Sequence, residues 1–212
     1  MGSGIYAAIH AISEAINENK DMLTDLDAAI GDADHGINMS RGFNAVMAKL
    51  EETKEEDIST VLKKTGMTLI STVGGAAGPL YGTAFLRAAG IAQGTSLITR
   101  EKAVEMLSAA VQGIKDRGKA VKGEKTMLDA LEPALEAFFK GINEDKSLLD
   151  CLETACLAAE QGVEYTKTIK ATKGRASYLG DRSIGHQDPG ATSSLIMLRT
   201  LTAYYRTSTL EA

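Results

Sequence analysis

Apolar residues in this chain recur at helical spacing almost throughout, and that limits what it can fold into. Ile5, Ile9, Ile12 and Ile16 follow one another at steps of four, three and four, so they form one apolar face that runs up to the polar stretch 17–20. The same pattern predicts further helices over roughly 38–52, 57–72, 79–92, 99–116, 126–141, 147–168 and 190–205, with Asp57, Thr99 and Ser147 standing where N-caps belong. Met, Leu and Ala are abundant, aromatics are 5%, and strand-like alternation is nearly absent. About eight helices, each with one apolar stripe, predict an all-α fold: an antiparallel bundle or barrel of amphipathic helices. No linker-like shift in composition and no internal repeat divides the chain, so residues 1–212 are read as a single domain.

Composition excludes several functions. A net charge of −5 without a basic stretch argues against nucleic acid. With no signal peptide and no long apolar run, a cytoplasmic protein without membrane contact is expected. Cys151 and Cys156, five apart in a helical stretch, fall on different faces and read as free thiols.

Glycine and proline concentrate in segments that interrupt this helical pattern, and the first of these carries an acidic cluster. In LDAAIGDADHGINMSRGF, Asp27, Asp32 and Asp34 fall within eight residues, and the nearest cation in the run, Arg41, lies beyond Gly36. Ile30, Ile37 and Met39 are interleaved with the acids, which places the segment against a core rather than in open solvent. Three carboxylates that converge without a cation repel one another, more so as water is excluded, and their oxygens suit a hard ion such as Mg²⁺ or Ca²⁺. The EF-hand pattern fails: counting from Asp32, Gly36 falls at the fifth position, and Phe43 stands where the bidentate Glu should be. What is left is a site with few protein ligands and several open positions, as suits Mg²⁺ bridging to phosphate.

Two more punctuated segments, STVGGAAGPLYGT at 71–83 and KGRASYLGDRSIGHQDPGATS at 173–193, each lead through glycines into a helix start. Glycine lets backbone N–H groups approach an anion, and the helix that follows adds its positive dipole end. Neither segment is a Walker A loop, since no Lys-Ser/Thr follows the glycines, and no strand precedes them as a dinucleotide fingerprint requires. Each alone reads equally as a tight helix–helix turn. Beside the acidic run they become coherent as a nucleotide site, with Arg175 placed to reach a phosphate oxygen. His35 reads as a phosphate contact or as a structural histidine. Asn38, Ser40 and Arg41 are further phosphate candidates, with an N-cap as the other reading of Asn38. Thr126 and Met127 in GEKTML offer a polar and apolar corner for an adenine ring, or simply a helix start. His10 is given no role.

Taken together, LDAAIGDADHGINMSRGF, STVGGAAGPLYGT, GEKTMLDAL and GRASYLGDRSIGHQDPGATSS resemble, in order and over residues 26–194, the motifs of the L subunits of dihydroxyacetone kinases. The resemblance implies a barrel of eight antiparallel α-helices that binds ADP or ATP with two Mg²⁺ at one end. It further implies Asp27, Asp32 and Asp34 as the Mg²⁺ ligands. His35, Asn38, Met39, Ala76 and Ala77 would line the phosphates, Gly118, Thr126 and Met127 would border the adenosine, and Arg175 with Asp188, Pro189 and Gly190 would close the site. The partners it implies are a separate K subunit that carries dihydroxyacetone and an M-type phosphohistidine protein of the phosphotransferase system, which rephosphorylates the bound ADP. No protein nucleophile is implied. Many relatives have Ser where this chain has Ala77, so a hydroxyl contact is missing and the backbone N–H acts alone. Two other readings remain open: the L module of an ATP-dependent kinase of dihydroxyacetone or fatty-acid type, and a non-catalytic nucleotide or metal sensor. The DADHG run is less like the DGDTG form associated with the fatty-acid type.

Overall fold

The computed structural model describes residues 2–51 and 57–210. Among these there is no β-strand. The helices are α1 (Gly2–Glu18), α2 (Lys20–Ile30), α3 (His35–Leu50), α4 (Ile58–Thr72), α5 (Ala77–Ile91), α6 (Arg100–Gly118), α7 (Leu128–Asn143), α8 (Leu148–Thr166) and α9 (Pro189–Leu210), with a 3-10 segment over Arg175–Ser183 before α9. The three expected caps are made. The side chains of Asp57, Thr99 and Ser147 accept from the backbone N–H of Thr60, Lys102 and Asp150 at 3.0, 3.2 and 3.1 Å.

The helix missing from the periodicity is α2. The chain leaves α1 at Asn19, whose side-chain amide donates to the Ala15 carbonyl at 2.8 Å, and restarts one residue later. This break allows α2 to pack on α3 and α9. At the α2–α3 crossing a side chain on Gly36 would lie 1.9 Å from the Lys20 carbonyl, so only glycine permits the approach.

Contacts run from α1 to α3, α3 to α4, and onward in chain order to α9, which returns to α1. That closes a cycle of eight helices, the connectivity a barrel requires. The inward faces supply the core, with Ile9, Ile12, Ile16, Phe43, Val46, Leu62, Leu69 and Val111 all buried. Inside the ring a cavity of about 270 Å³ is lined by apolar side chains including Ile9, Ile12, Leu62, Phe85, Leu107 and Val111. Cys151 and Cys156 are both free thiols, as expected. Among the described residues no helix is long and apolar enough to cross a membrane.

Candidate functional site

The acidic cluster is built where α2 stops and α3 begins. Asp27 lies in the last turn of α2, and the chain turns through Gly31 and Ala33, the latter at φ 61°. The N-terminus of α3 leaves backbone donors without helical partners. Two of them, the N–H groups of Asp34 and His35, donate to one carboxylate oxygen of Asp27 at 2.8 and 3.2 Å, fixing the side chain. A side chain on Gly31 would come within 2.0 Å of the other Asp27 oxygen. With Asp27 so held, one oxygen from each of Asp27, Asp32 and Asp34 falls within 4.8 Å of the others. Asp27 is buried, Asp34 half-buried and Asp32 exposed, so the cluster is open on one side. An all-oxygen donor set with open positions fits Mg²⁺.

The fold corrects one reading. The cluster does have a cation, although none is near it in sequence: Arg175 Nη2 lies 3.0 Å from Asp32 Oδ2. The side chains of Arg175 and Asp32 are 67% and 35% exposed, so water screens the pair and it is readily exchanged for another partner.

The three aspartates form one wall of a cleft of about 470 Å³ at this end of the helices. The cleft is also lined by His35, Asn38, Ala76, Ala77, Gly118, Thr126, Met127, Arg175, Asp188, Pro189 and Gly190, which brings together residues spread over most of the chain. Met39 is the exception among the expected site residues. It lies on the face of α3 shared with Phe43, Val46 and Leu50 and is fully buried in the core, so its side chain cannot line phosphates. Ser40 is directed to a helix–helix contact, donating to Asn17 Oδ1 at 2.6 Å. Arg41 is also absent from the lining and instead donates to Asn38 Oδ1 at 2.7 Å and the Thr72 carbonyl at 3.1 Å.

Several lining residues were not singled out in the sequence. Leu80, Ile114 and Leu128 join Met127 in an apolar stretch of wall suited to an aromatic ring, while Arg117 and Lys173 add cations. Lys125 is the least expected. It is a lysine only 1% exposed, with its ammonium donating to the carbonyls of Thr166 at 2.5 Å, Ile169 at 3.4 Å and His186. Nothing in the periodicity marks it, because a buried charge runs against the usual placement of lysine.

Burial sets the charge states. It holds the His35 imidazole below the ordinary histidine range, against the upward pull of Asp27 and Asp34. Asp188 caps α9, its carboxylate accepting from the Ala191 N–H at 2.7 Å. Burial pushes its pKa up to about 7, Asp129 and Asp27 add to the rise, and the Ala191 N–H and Lys125 oppose it. A carboxyl whose folded pKa lies above its unfolded value of 3.8 gives stability that is complete below that value and lost as pH rises through about 7. Against an upward slope from His35, whose pKa is lowered, Asp188 therefore contributes a downward slope to the melting temperature of ligand-free protein between pH 4 and 7. Asp188→Asn, which retains the cap, should flatten that slope; an unchanged slope in thermal melts would refute the assignment.

Comparison with known proteins places this arrangement. The DAK2 domain family matches residues 29–203. The ADP-binding subunit of PEP-dependent dihydroxyacetone kinase from Escherichia coli is 47% identical over 188 residues, covering 89% of this chain and 90% of that protein. The ADP-binding subunit of PEP-dependent dihydroxyacetone kinase 1 from Listeria innocua is 45% identical, covering 91% of each chain. The crystal structure of the dihydroxyacetone kinase from C. freundii in complex with AMP-PNP and Mg²⁺ shares the fold with a TM-score of 0.71 at 23% identity; it is matched over 94% of this chain and 33% of its own, so the present chain spans about a third of that enzyme. The chain belongs to the DAK2 domain family, together with the ADP-binding subunits of the PEP-dependent dihydroxyacetone kinases.

Proposed function

We propose that this chain is the nucleotide-binding, phosphoryl-transferring subunit of a dihydroxyacetone kinase, with residues 1–212 acting as one domain. The observation that carries the reading is the meeting of three carboxylates, within 4.8 Å of one another, on the wall of a cleft otherwise lined by a glycine loop, helix starts and an apolar stretch. Asp27, Asp32 and Asp34 would hold Mg²⁺, two ions in the full reading. Bound there, Mg²⁺ would supply positive charge that offsets the phosphates. The 74–77 loop and the start of α5 direct backbone N–H groups at the phosphates, which is why Ala77 can serve without a hydroxyl. Arg175 exchanges Asp32 for a phosphate oxygen, and Leu80, Ile114, Met127 and Leu128 take the adenine. Such a site positions and neutralises, so phosphoryl transfer needs no protein nucleophile.

On this reading the nucleotide stays bound as ADP and is rephosphorylated in place by a phosphohistidine protein of the phosphotransferase system. The phosphoryl group then passes to dihydroxyacetone on a separate K subunit. The test follows ³²P from a phosphorylated M-type protein to dihydroxyacetone in the presence of the K subunit. Retained ADP that turns over without exchanging into solution is the expected result. Rapid exchange with free ATP and no requirement for the phosphohistidine donor would point instead to the module of an ATP-dependent kinase. Failure to bind any nucleotide would leave only the metal-sensor reading.

A further inference from the structure

A buried hydroxyl network stands behind the phosphate end of the cleft. The Tyr81 side chain is 2% exposed, and its hydroxyl lies 2.7 Å from Ser193 Oγ, 2.8 Å from Ser194 Oγ and 2.9 Å from the Gly190 carbonyl. Ser193 Oγ in turn lies 2.9 Å from His35 Nε2. Tyr81 comes from the second turn of α5, the serines from the start of α9, and His35 from the first position of α3, so three helix starts are joined behind the cleft. His35 lines the cleft, and with Nε2 engaged and no described residue hydrogen-bonding Nδ1, Nδ1 is the ring nitrogen left to meet a ligand.

The Gly190 carbonyl also lies 3.2 Å from Ser193 Oγ and 2.9 Å from Ser194 Oγ, and among the proton arrangements these contacts allow, two differ in which ring nitrogen of His35 carries the proton. In the first, Tyr81 donates to the Gly190 carbonyl, both serines donate to the phenol oxygen, and a proton on Nε2 donates to Ser193. In the second, Ser194 donates to Tyr81, Tyr81 to Ser193 and Ser193 to Nε2, and the ring proton resides on Nδ1. The first fills one more contact and suits the protein without ligand. The second leaves the Gly190 carbonyl its helical N–H partner and alone presents a neutral imidazole donor to an anionic oxygen. Only hydroxyl rotations and the ring tautomer distinguish the two.

We propose that Tyr81 is a positioning residue: through Ser193 it clamps Nε2 of His35, so that Nδ1–H is delivered to a phosphate oxygen when nucleotide binds. The proposal rests on the nucleotide reading of the cleft, but the clamp itself can be tested without nucleotide. The chain has three histidines, so ¹⁵N-histidine labelling resolves the ring nitrogens of His35. Wild type should carry the Nε2–H tautomer alone and switch to Nδ1–H with MgADP. Tyr81→Phe should give mixed tautomers in both states and release MgADP about tenfold faster, the scale of one lost hydrogen bond to a charged group. Once Ser193→Ala has cut the link, adding Tyr81→Phe should change His35 no further. A loaded wild type with Nε2–H, a Tyr81→Phe spectrum identical to wild type, or additive effects of the two substitutions would each overturn the proposal. If MgADP does not bind wild type at all, the nucleotide reading fails, and the ligand-free spectra still decide the clamp.

Discussion

Asp32→Asn is expected to abolish Mg²⁺-dependent retention of nucleotide while leaving the fold intact. Asp32 is the most exposed of the three acids and makes no hydrogen bond to the loop, whereas Asp27 also fastens the start of α3 through the N–H groups of Asp34 and His35. Its neutralisation therefore removes a metal ligand without releasing the backbone. It also relieves repulsion among carboxylates that lie within 4.8 Å of one another, offset only by the loss of a screened pair with Arg175. Losing one charged oxygen ligand should weaken MgADP by about a hundredfold or more, on the scale of ~3 kcal/mol for a bond between charged groups. In thermal melts, MgADP at a hundred times its Kd should stabilise wild type by about 2.7 kcal/mol, roughly 5–10 °C for a chain of this size. The variant should melt close to ligand-free wild type and gain no more than about 1 °C from the same MgADP. Arg175→Ala separates the two ligands: it removes the competing cation and should leave the affinity for Mg²⁺ alone undiminished, while MgADP loses its phosphate contact. An Asp32→Asn protein that keeps its ADP would disprove the metal assignment.

The features legible in the sequence were those set by neighbours along the chain. Apolar stripes and the Asp57, Thr99 and Ser147 caps are local, and the helices form where those signals stand. The acidic cluster was legible for the same reason, since Asp27 and Asp34 are brought together by one turn between two helices. What escaped depends on contacts distant in sequence. Arg175 reaches Asp32 from the 3-10 segment, far along the chain from the acidic run. The Tyr81–Ser193–His35 network joins three helix starts that only the closed ring brings together. Met39 is a different error. Its spacing to Phe43, Val46 and Leu50 is a core stripe already present in the sequence, and the phosphate role came only from the family resemblance.

Lys125→Met is expected to produce the largest loss of stability of any single substitution in the site. The ammonium has three protons and three carbonyl partners, on Thr166, Ile169 and His186, so its hydrogen-bonding capacity is filled inside the protein. Burial lowers its pKa, and Asp188 and Asp129 oppose that shift. Methionine matches the length of the side chain but leaves the carbonyls without their donor and two buried acids without a counter-charge. Breaking a buried charge of this kind costs about 3–5 kcal/mol, against a total stability on the order of 5–15 kcal/mol, and should lower the melting temperature by about 10 °C. Lys125→Arg should not rescue, because a planar guanidinium does not fit a site where lysine is only 1% exposed. The damage should also be directional. Lys125 fastens the turn that carries Thr126 and Met127 to the stretch between α8 and α9. Asp129 holds the same turn from below, accepting from the N–H groups of Gly123 and Thr126 at 2.5 and 2.8 Å. Hydrogen exchange should therefore accelerate together over 119–127 and 184–190, while α3 to α5 stay protected. A melt within about 1 kcal/mol of wild type, or exchange that rises evenly over the chain, would show that the two walls of the cleft are held by something other than this lysine.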